Sequence, residues 1–115
     1  MTHYKKISEL IKDKNNYPNA GQIWIQKSKI NDLENAEYWI MSSEEEGELP
    51  FRIGENGSTI PEPIFDFGVK SFLDVGTFQD IIDNKLEHNP DLSLDNLSVF
   101  IEAIVYYLEN DDFLD

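Results

Sequence analysis

The sequence predicts a single α+β domain spanning residues 1–115, in which a small antiparallel sheet packs against about three helices. Three observations predict this fold: the chain length, short aromatic and β-branched runs in the first half, and long stretches of helical periodicity in the second. A chain of 115 residues, of which 40% are hydrophobic, can enclose one modest core and is short for two domains. We find no internal repeat and no linker that would divide it.

The first half is expected to contain one helix and two apolar strands. Tyr4, Ile7, Leu10 and Ile11 recur at helical spacing, which predicts a short amphipathic helix that stops at the turn-forming residues 15–21. The runs 23–25 and 38–41 each contain a Trp and β-branched or aromatic neighbours, as strands do. The polar residues 29–37 between them are expected to form a loop or a single helical turn.

The middle of the chain is expected to consist of an acidic loop and a hairpin. Residues 42–50 form the loop, which carries four Glu. Residues 51–53 and 59–60 flank a Gly-rich segment in which Asn56-Gly57 favours the positive φ angles of a tight hairpin turn. Pro61 and Pro63 then end any strand.

The second half is expected to contain a strand followed by two helices. Residues 68–75 are expected to be a strand that leads into a helix capped by Thr77 and closed by Asn89-Pro90. Ser93 is a good N-cap for the last helix. Tyr107 falls off the apolar stripe of that helix and is expected to be exposed. The stripe forms a wide apolar face over four turns: Leu94, Leu97, Phe100, Ile101, Ile104, Val105 and Leu108.

The net charge is unusually negative and unevenly distributed along the chain. There are 23 acidic residues against 9 Lys and Arg, for a formal charge of −14. Residues 1–43 hold six Lys against five acids, whereas residues 44–115 hold three basic residues against eighteen acids, so the second part carries −15. Such a surface repels nucleic acid and anionic membranes, and it attracts a basic protein. General solubility is the alternative explanation.

The acidic residues are concentrated in three places, which are candidates for binding a partner. The candidates are Glu44, Glu45, Glu46 and Glu48 in the loop, Asp66, Asp74, Asp80 and Asp83 around one strand–helix junction, and Tyr107, Glu109, Asp111 and Asp112 near the C-terminus, followed by Asp115. Acids at a helix C-terminus oppose its macrodipole, where favourable charge placement is worth about 0.3–1 kcal/mol. The last group is therefore a functional candidate, with fraying into solvent as the alternative.

The sequence gives little support for catalysis or cofactor binding. The absence of Cys excludes disulfides, thiolate catalysis and Cys-based zinc sites. His3 and His88 lie near predicted element ends and are expected on the surface, and no Gly-rich phosphate loop is present. We therefore expect that the protein is not an enzyme and that it binds no cofactor and no metal. A carboxylate-based enzyme is the catalytic alternative, although chance pairs are inevitable among 23 acids. No apolar run is long enough for a signal peptide or a membrane span, so a cytoplasmic protein is expected.

The C-terminal half resembles a family of small bacterial domains. These pair a Gln-Asp-Ile-Val-x-Asn-like helix with an ending like Tyr-Tyr-x-Asn-Asp-Ala-Phe. The matching residues are Gly68, Phe72-Leu73, Phe78-Gln79-Asp80-Ile81-Ile82-Asp83-Asn84, Pro90, Ala103 and Tyr106 to Phe113. Asp112 stands where the family usually has Ala, and the first half matches only loosely, through its Trp-containing strand. Proteins of this kind are similar to the immunity proteins of polymorphic toxin systems, including contact-dependent growth inhibition.

The resemblance implies a monomeric immunity protein that binds the C-terminal domain of its toxin in a 1:1 complex, without catalysis. Many such toxins are nucleases with basic surfaces, which agrees with the acidic charge found here. Binding residues are not carried over, because immunity proteins diverge with their toxins. The alternative function is an acidic regulatory or scaffold module that recognises another basic protein.

Overall fold

The structure is a computed structural model that describes residues 1–54 and 57–114. Within these residues it contains six strands and five α-helices, and the predicted α+β class is confirmed. The strands are β1 (Thr2–Tyr4), β2 (Gly21–Gln26), β3 (Tyr38–Ser42), β4 (Phe51–Ile53), β5 (Thr59–Pro61) and β6 (Val69–Asp74). The helices are α1 (Ile7–Lys12), α2 (Ser43–Glu48), α3 (Glu62–Phe65), α4 (Val75–His88) and α5 (Leu97–Asn110).

The main sheet has four antiparallel strands in the order β1-β3-β2-β6, and β4 pairs with β5 in a separate hairpin. The two apolar runs of the first half form the centre of the sheet, with Trp24 opposite Trp39 and Ile23 opposite Ile40. Both predicted central strands and the predicted hairpin are confirmed. Gly57 in the hairpin turn has a φ of 77°, while Glu55 and Asn56 lie outside the described residues.

Each face of the main sheet packs against different elements, because successive side chains of a strand point to opposite faces. Ile23 and Ile25 face the larger core, which helices α1, α4 and α5 complete. Trp24 and Trp39 face a smaller core that includes Ile60 of the hairpin and residues around α3. The predicted packing of an antiparallel sheet against about three helices therefore describes the larger core.

The N-terminal helix is shorter than its periodicity predicted. Tyr4 lies in β1, where it is opposite Tyr38, and α1 begins at Ile7. The Tyr4 hydroxyl donates to a carboxylate oxygen of Asp13 at 2.5 Å. Tyr4 is therefore buried by strand pairing and not on a helix face.

The acidic segment after β3 was predicted to be a loop, and this was wrong. It forms α2, whose first turn is closed by a capping box between Ser42 and Glu45. The Ser42 hydroxyl accepts from the Glu45 amide, and the Glu45 carboxylate accepts from the Ser42 amide, both at 3.1 Å. Because these two bonds satisfy amides that a helix start leaves unpaired, they stabilise a helical turn in a run of acids.

Two predicted helix starts are displaced. Asp74, and not Thr77, caps α4: its carboxylate accepts from both the amide and the hydroxyl of Thr77 at 2.7 Å. The last helix begins at Leu97 and not just after Ser93, because Ser93 and Asn96 form a local turn in which the Ser93 amide donates to the Asn96 side chain at 2.9 Å. The predicted closure of α4 at Asn89-Pro90 is confirmed.

Candidate protein-binding groove beside helix α5

The first acidic group is partly used within the fold. The Glu45 carboxylate forms an ion pair with the N-terminal amine of Met1, and this contact, with the hydrogen bond from the Ser42 amide, lowers the pKa of Glu45. Glu44 and Glu48 are exposed and have no partner among the described side chains. Helix α2 therefore offers two free carboxylates where the sequence had suggested four.

Glu46 has a different environment from its neighbours. Burial raises its pKa, and the nearby indole N–H of Trp24 offsets part of that rise although it lies outside hydrogen-bond geometry. The Oε1 atom of Glu46 and the Nε1 atom of Trp24 are both buried without a hydrogen-bond partner among residues 1–54 and 57–114. Glu46 is thus part of the packing of α2 on the sheet and is poorly placed to contact another protein.

The second acidic group is largely paired inside the molecule. Asp74 is the N-cap of α4, Asp83 lies 3.0 Å from the Lys14 ammonium, and Asp66 lies 3.6 Å from the Arg52 guanidinium. Asp80 is exposed and has no partner among the described residues. These four carboxylates therefore do not form one uncommitted surface.

The third acidic group keeps the most free charge. Glu109 and Asp111 are exposed and have no side-chain partner in the described part of the chain, and Asp112 accepts only from the neighbouring Phe113 amide at 2.8 Å. The last turn of α5 contains no basic residue that would compensate the negative end of the helix dipole. Asp115 lies outside the described residues.

The orientation of α5 differs from the one predicted. Tyr107 was expected to be exposed, but it is half-buried against the larger core and its ring lies 5.5 Å from that of Phe113. Val105 and Leu108 were expected to be buried, but they are 36% and 47% exposed. The apolar face of α5 is wider than the surface that covers it. The side of α5 that carries Phe100 and Ile104 packs into the larger core, and the other edge of its apolar face is left uncovered.

A groove of about 350 Å³ follows this uncovered edge of α5. Its second wall is the segment between β2 and β3, which turns at Asp32 and is anchored by the buried Tyr38 hydroxyl, donating to the Leu33 carbonyl oxygen at 2.7 Å. We call this feature the α5 groove. It is lined by Ile30, Asn31, Leu33, Ile101, Val105, Leu108 and Glu109.

The sequence contained a weak signal for this groove. Ile30 and Leu33 are isolated apolar residues in a polar connection, and the apolar face of α5 was recognised as wide. Neither pattern showed that the two would meet. The groove includes Glu109, the one residue of the predicted partner-binding set that lines it.

A second exposed apolar region lies around the hairpin. Phe51, Ile53 and Phe67 are exposed there, and the Phe67 ring stacks on Trp39 at a centroid distance of 5.5 Å. The Arg52 guanidinium lies 4.0 Å from the centre of the Phe65 ring and 3.6 Å from the Glu62 carboxylate. The positive charge of Arg52 thus offsets the nearby carboxylates in this region, whereas the carboxylates at the end of α5 have no such compensation within the described ranges.

No metal centre or membrane-spanning helix is found in the part of the chain that the structure describes. Within residues 1–54 and 57–114, no three His, Asp or Glu side chains converge as metal ligands would. No helix in these ranges combines the length and the apolar character needed to cross a bilayer. Comparison of the chain with protein-family models, with curated proteins and with solved structures gave no match.

Proposed function

We propose that this protein is an immunity protein that binds the basic nuclease domain of a toxin and neutralises it without catalysis. The observation that carries the proposal is the combination at the end of α5, where the exposed side chains of Val105 and Leu108 line a groove with Glu109 and the exposed Asp111 follows as the C-cap of the helix. The resemblance of the C-terminal half to immunity proteins supports the same function.

The chemistry of inhibition follows from the charge. A nuclease attracts phosphates with Lys and Arg, so a protein that presents carboxylates can occupy the same surface. A net charge of −14 also accelerates the encounter with a basic partner, because electrostatic steering raises association rates. Fast association suits an inhibitor that must act before its target reaches a substrate.

Exposed apolar side chains supply binding energy that the attraction between charges alone does not. Stable protein interfaces have an apolar centre with a polar rim, and most of the binding energy comes from a few anchors at that centre. Val105 and Leu108, beside Glu109, provide this arrangement at the end of α5. We propose that the complex contains one copy of each protein and forms in the cytoplasm.

Co-expression tests the proposal directly. The proposal predicts that a toxin gene adjoins the gene for this protein. The C-terminal domain of that toxin should arrest growth when it is expressed alone, and growth should recover when this protein is expressed with it. The two should also co-purify at low salt. A matched control is a toxin domain of similar charge from another locus, which should not be neutralised. Binding without growth rescue would instead favour an acidic scaffold module, and failure of the pair to associate would refute the proposal.

A further inference from the structure

We infer that the α5 groove binds a segment of the partner that carries apolar side chains flanked by Lys or Arg. This inference deepens the proposed function, because it names the surface that binds the partner and the kind of side chains that the partner presents there. It rests on the proposed function only for the identification of the partner as a toxin. The groove chemistry itself requires only a partner with such a segment.

The lining of the groove selects an apolar occupant. Ile101, Val105 and Leu108 follow one another at spacings of four and three residues, so they form one stripe along the helix. Leu33 and Ile30 face this stripe from the other wall. An apolar stripe left open between two walls is the arrangement that accepts the apolar face of a peptide or helix.

The charges around the groove select a basic flank. The charged residues in or close to the lining along the sequence are mostly acidic, with Lys29 the one cation among them. The acidic ones are Asp32, Glu34, Glu102, Glu109, Asp111 and Asp112. Lys5 and Lys6 line a neighbouring cavity together with Lys29 and Asp32, so the excess of carboxylates lies on the α5 side of the groove. Asp32 is partly used within its turn, where its carboxylate accepts from the Asn35 side chain at 3.1 Å. This excess makes Lys or Arg the complementary residues at the end of the bound segment that lies beside the C-terminus of α5.

The walls of the groove are fixed before a partner binds. The Leu33 side is held by the buried hydrogen bond from Tyr38, and the α5 side is held by Phe100 and Ile104 in the larger core. A site with fixed walls loses little conformational entropy on binding. The groove is therefore built to bind without rearrangement of the fold.

A second copy of this chain is a poorer occupant. A symmetric contact would bring the groove of one copy against that of the other, and thus place two sets of the same acidic residues together. Each copy carries a charge of −14, so the approach of two copies is also opposed at long range. The charge pattern therefore favours a different, basic protein.

The inference can be tested with a synthetic probe and without the toxin. The probe is a peptide with Leu at i, i+3, i+4 and i+7 and Lys at the remaining positions, which gives an apolar stripe on a basic helix. The control peptide has the same composition in an order that scatters the Leu residues around the helix. Titration of the ¹⁵N-labelled protein, followed by NMR, reports both the affinity and the residues contacted.

The paired variants separate the groove from exposed apolar surface in general. The double variant V105T/L108Q removes apolar character from the groove, and F51Q/I53T does the same at the hairpin, where Ile53 is 73% exposed. We expect the ordered peptide to shift the amides of residues 30–33 and 101–109, and to bind V105T/L108Q about tenfold more weakly. Its affinity for F51Q/I53T should change by less than about twofold. Urea unfolding of both variants checks that they remain folded.

Several outcomes would overturn the inference. Equal binding of the two peptides, shifts centred outside the groove, or an unchanged affinity for V105T/L108Q would each show that general charge attraction suffices. Sedimentation showing self-association that V105T/L108Q abolishes would identify a second copy as the occupant. Failure of toxin neutralisation alongside groove-dependent peptide binding would instead refute only the proposed function.

Discussion

At Asp111 the backbone enters the left-handed region, with a φ of 55°, and the amide donates to the Tyr107 carbonyl oxygen at 2.8 Å. Gly is the residue that adopts this conformation without a steric penalty at a helix end. An acid here also meets the negative end of the α5 dipole, with no basic residue in the last turn. Asp111 is therefore unfavourable for stability in two ways.

Replacement of Asp111 by Gly should stabilise the protein. The substitution removes the steric penalty of the left-handed conformation and the negative charge at the negative end of the helix dipole. Together these two effects should raise the free energy of unfolding by about 1 kcal/mol. Urea denaturation monitored by circular dichroism measures this change. The control is Asp111→Ala, which removes the same charge but keeps a Cβ atom. If the Ala variant were as stable as the Gly variant, the backbone conformation would have no energetic role.

Glu46 should make stability depend on pH in the direction opposite to that of a typical paired carboxylate. Its pKa is raised in the fold, so the stability it contributes is full when it is protonated, below the unperturbed value of 4.5, and is lost as the pH rises through the folded pKa. Glu46→Gln, which stays neutral, should therefore be more stable than the wild type at pH 7, and this advantage should disappear well below pH 4.5.

Thermal unfolding of Glu46→Gln across this pH range gives the comparison. Glu48→Gln is the matched control, because Glu48 lies in the same helix but is exposed. The control separates the burial of Glu46 from the loss of one negative charge in α2. An advantage of Glu46→Gln that was constant with pH would mean that burial of its charge is not the cause.

At the scale of the elements, α5 combines two roles on adjacent faces. Phe100, Ala103 and Ile104 are fully buried in the larger core, where α5 packs against α4, and they hold the helix in place. Val105 and Leu108 lie on the neighbouring face and line the α5 groove. The element that completes the core is therefore also the one that presents the candidate binding surface.

Alanine substitutions on the two faces of α5 should differ clearly in cost. Phe100→Ala leaves a cavity in the core and should lower the free energy of unfolding by about 3–5 kcal/mol. Leu108→Ala should lower it by about 1 kcal/mol or less, because the side chain is already 47% exposed. Chemical denaturation measures both. A similar loss for the two variants would place Leu108 in the core and would close the groove.

Sequence periodicity predicted the positions of the helices and strands better than it predicted which of their side chains are buried. The strands around Trp24 and Trp39 and most of α4 follow directly from residue patterns. The start of α4 was missed because Asp74 and Thr77 are both good capping residues, and only the backbone geometry selects Asp74. Helix α2 was missed because a run of Glu resembles a solvated loop, although Ser42 and Glu45 had the spacing of a capping box.

The candidate site was predicted only in part, for a physical reason. The acids at the end of α5 were visible in the sequence, but the groove depends on Ile30 and Leu33, which are distant in the chain from Val105 and Leu108. Periodicity gives the width of an apolar face and does not show how much of it neighbouring elements cover. Tyr107 and Leu108 were consequently assigned to the wrong environments.

At the scale of the whole molecule, the dominant property is a charge of −14 on 115 residues. Some acids are paired with the few available cations, as Asp83 is with Lys14 and Asp95 with Lys12 at 2.7 Å. The remainder repel one another, and this self-repulsion destabilises the folded state. The molecule is therefore expected to be less stable than its packing alone would allow.

Added salt should stabilise this protein. The screening length falls from about 30 Å at 0.01 M to about 10 Å at 0.1 M ionic strength, which weakens repulsion across the whole surface more than it weakens close ion pairs. Thermal unfolding in increasing NaCl should therefore give a rising midpoint. A falling midpoint would mean that the ion pairs contribute more to stability than the repulsion removes.

In the proposed complex, the end of α5, and not the acidic charge as a whole, contacts the partner. Stopped-flow association with the toxin domain at low salt tests it with two variants of equal net charge. E109Q/D111N/D112N neutralises the end of α5, and E44Q/E48Q/E87Q neutralises three exposed carboxylates elsewhere. We expect the first variant to associate about tenfold more slowly than the wild type and the second to change by no more than about twofold. Equal slowing by the two variants would contradict the claim, since it would show that only the total charge matters.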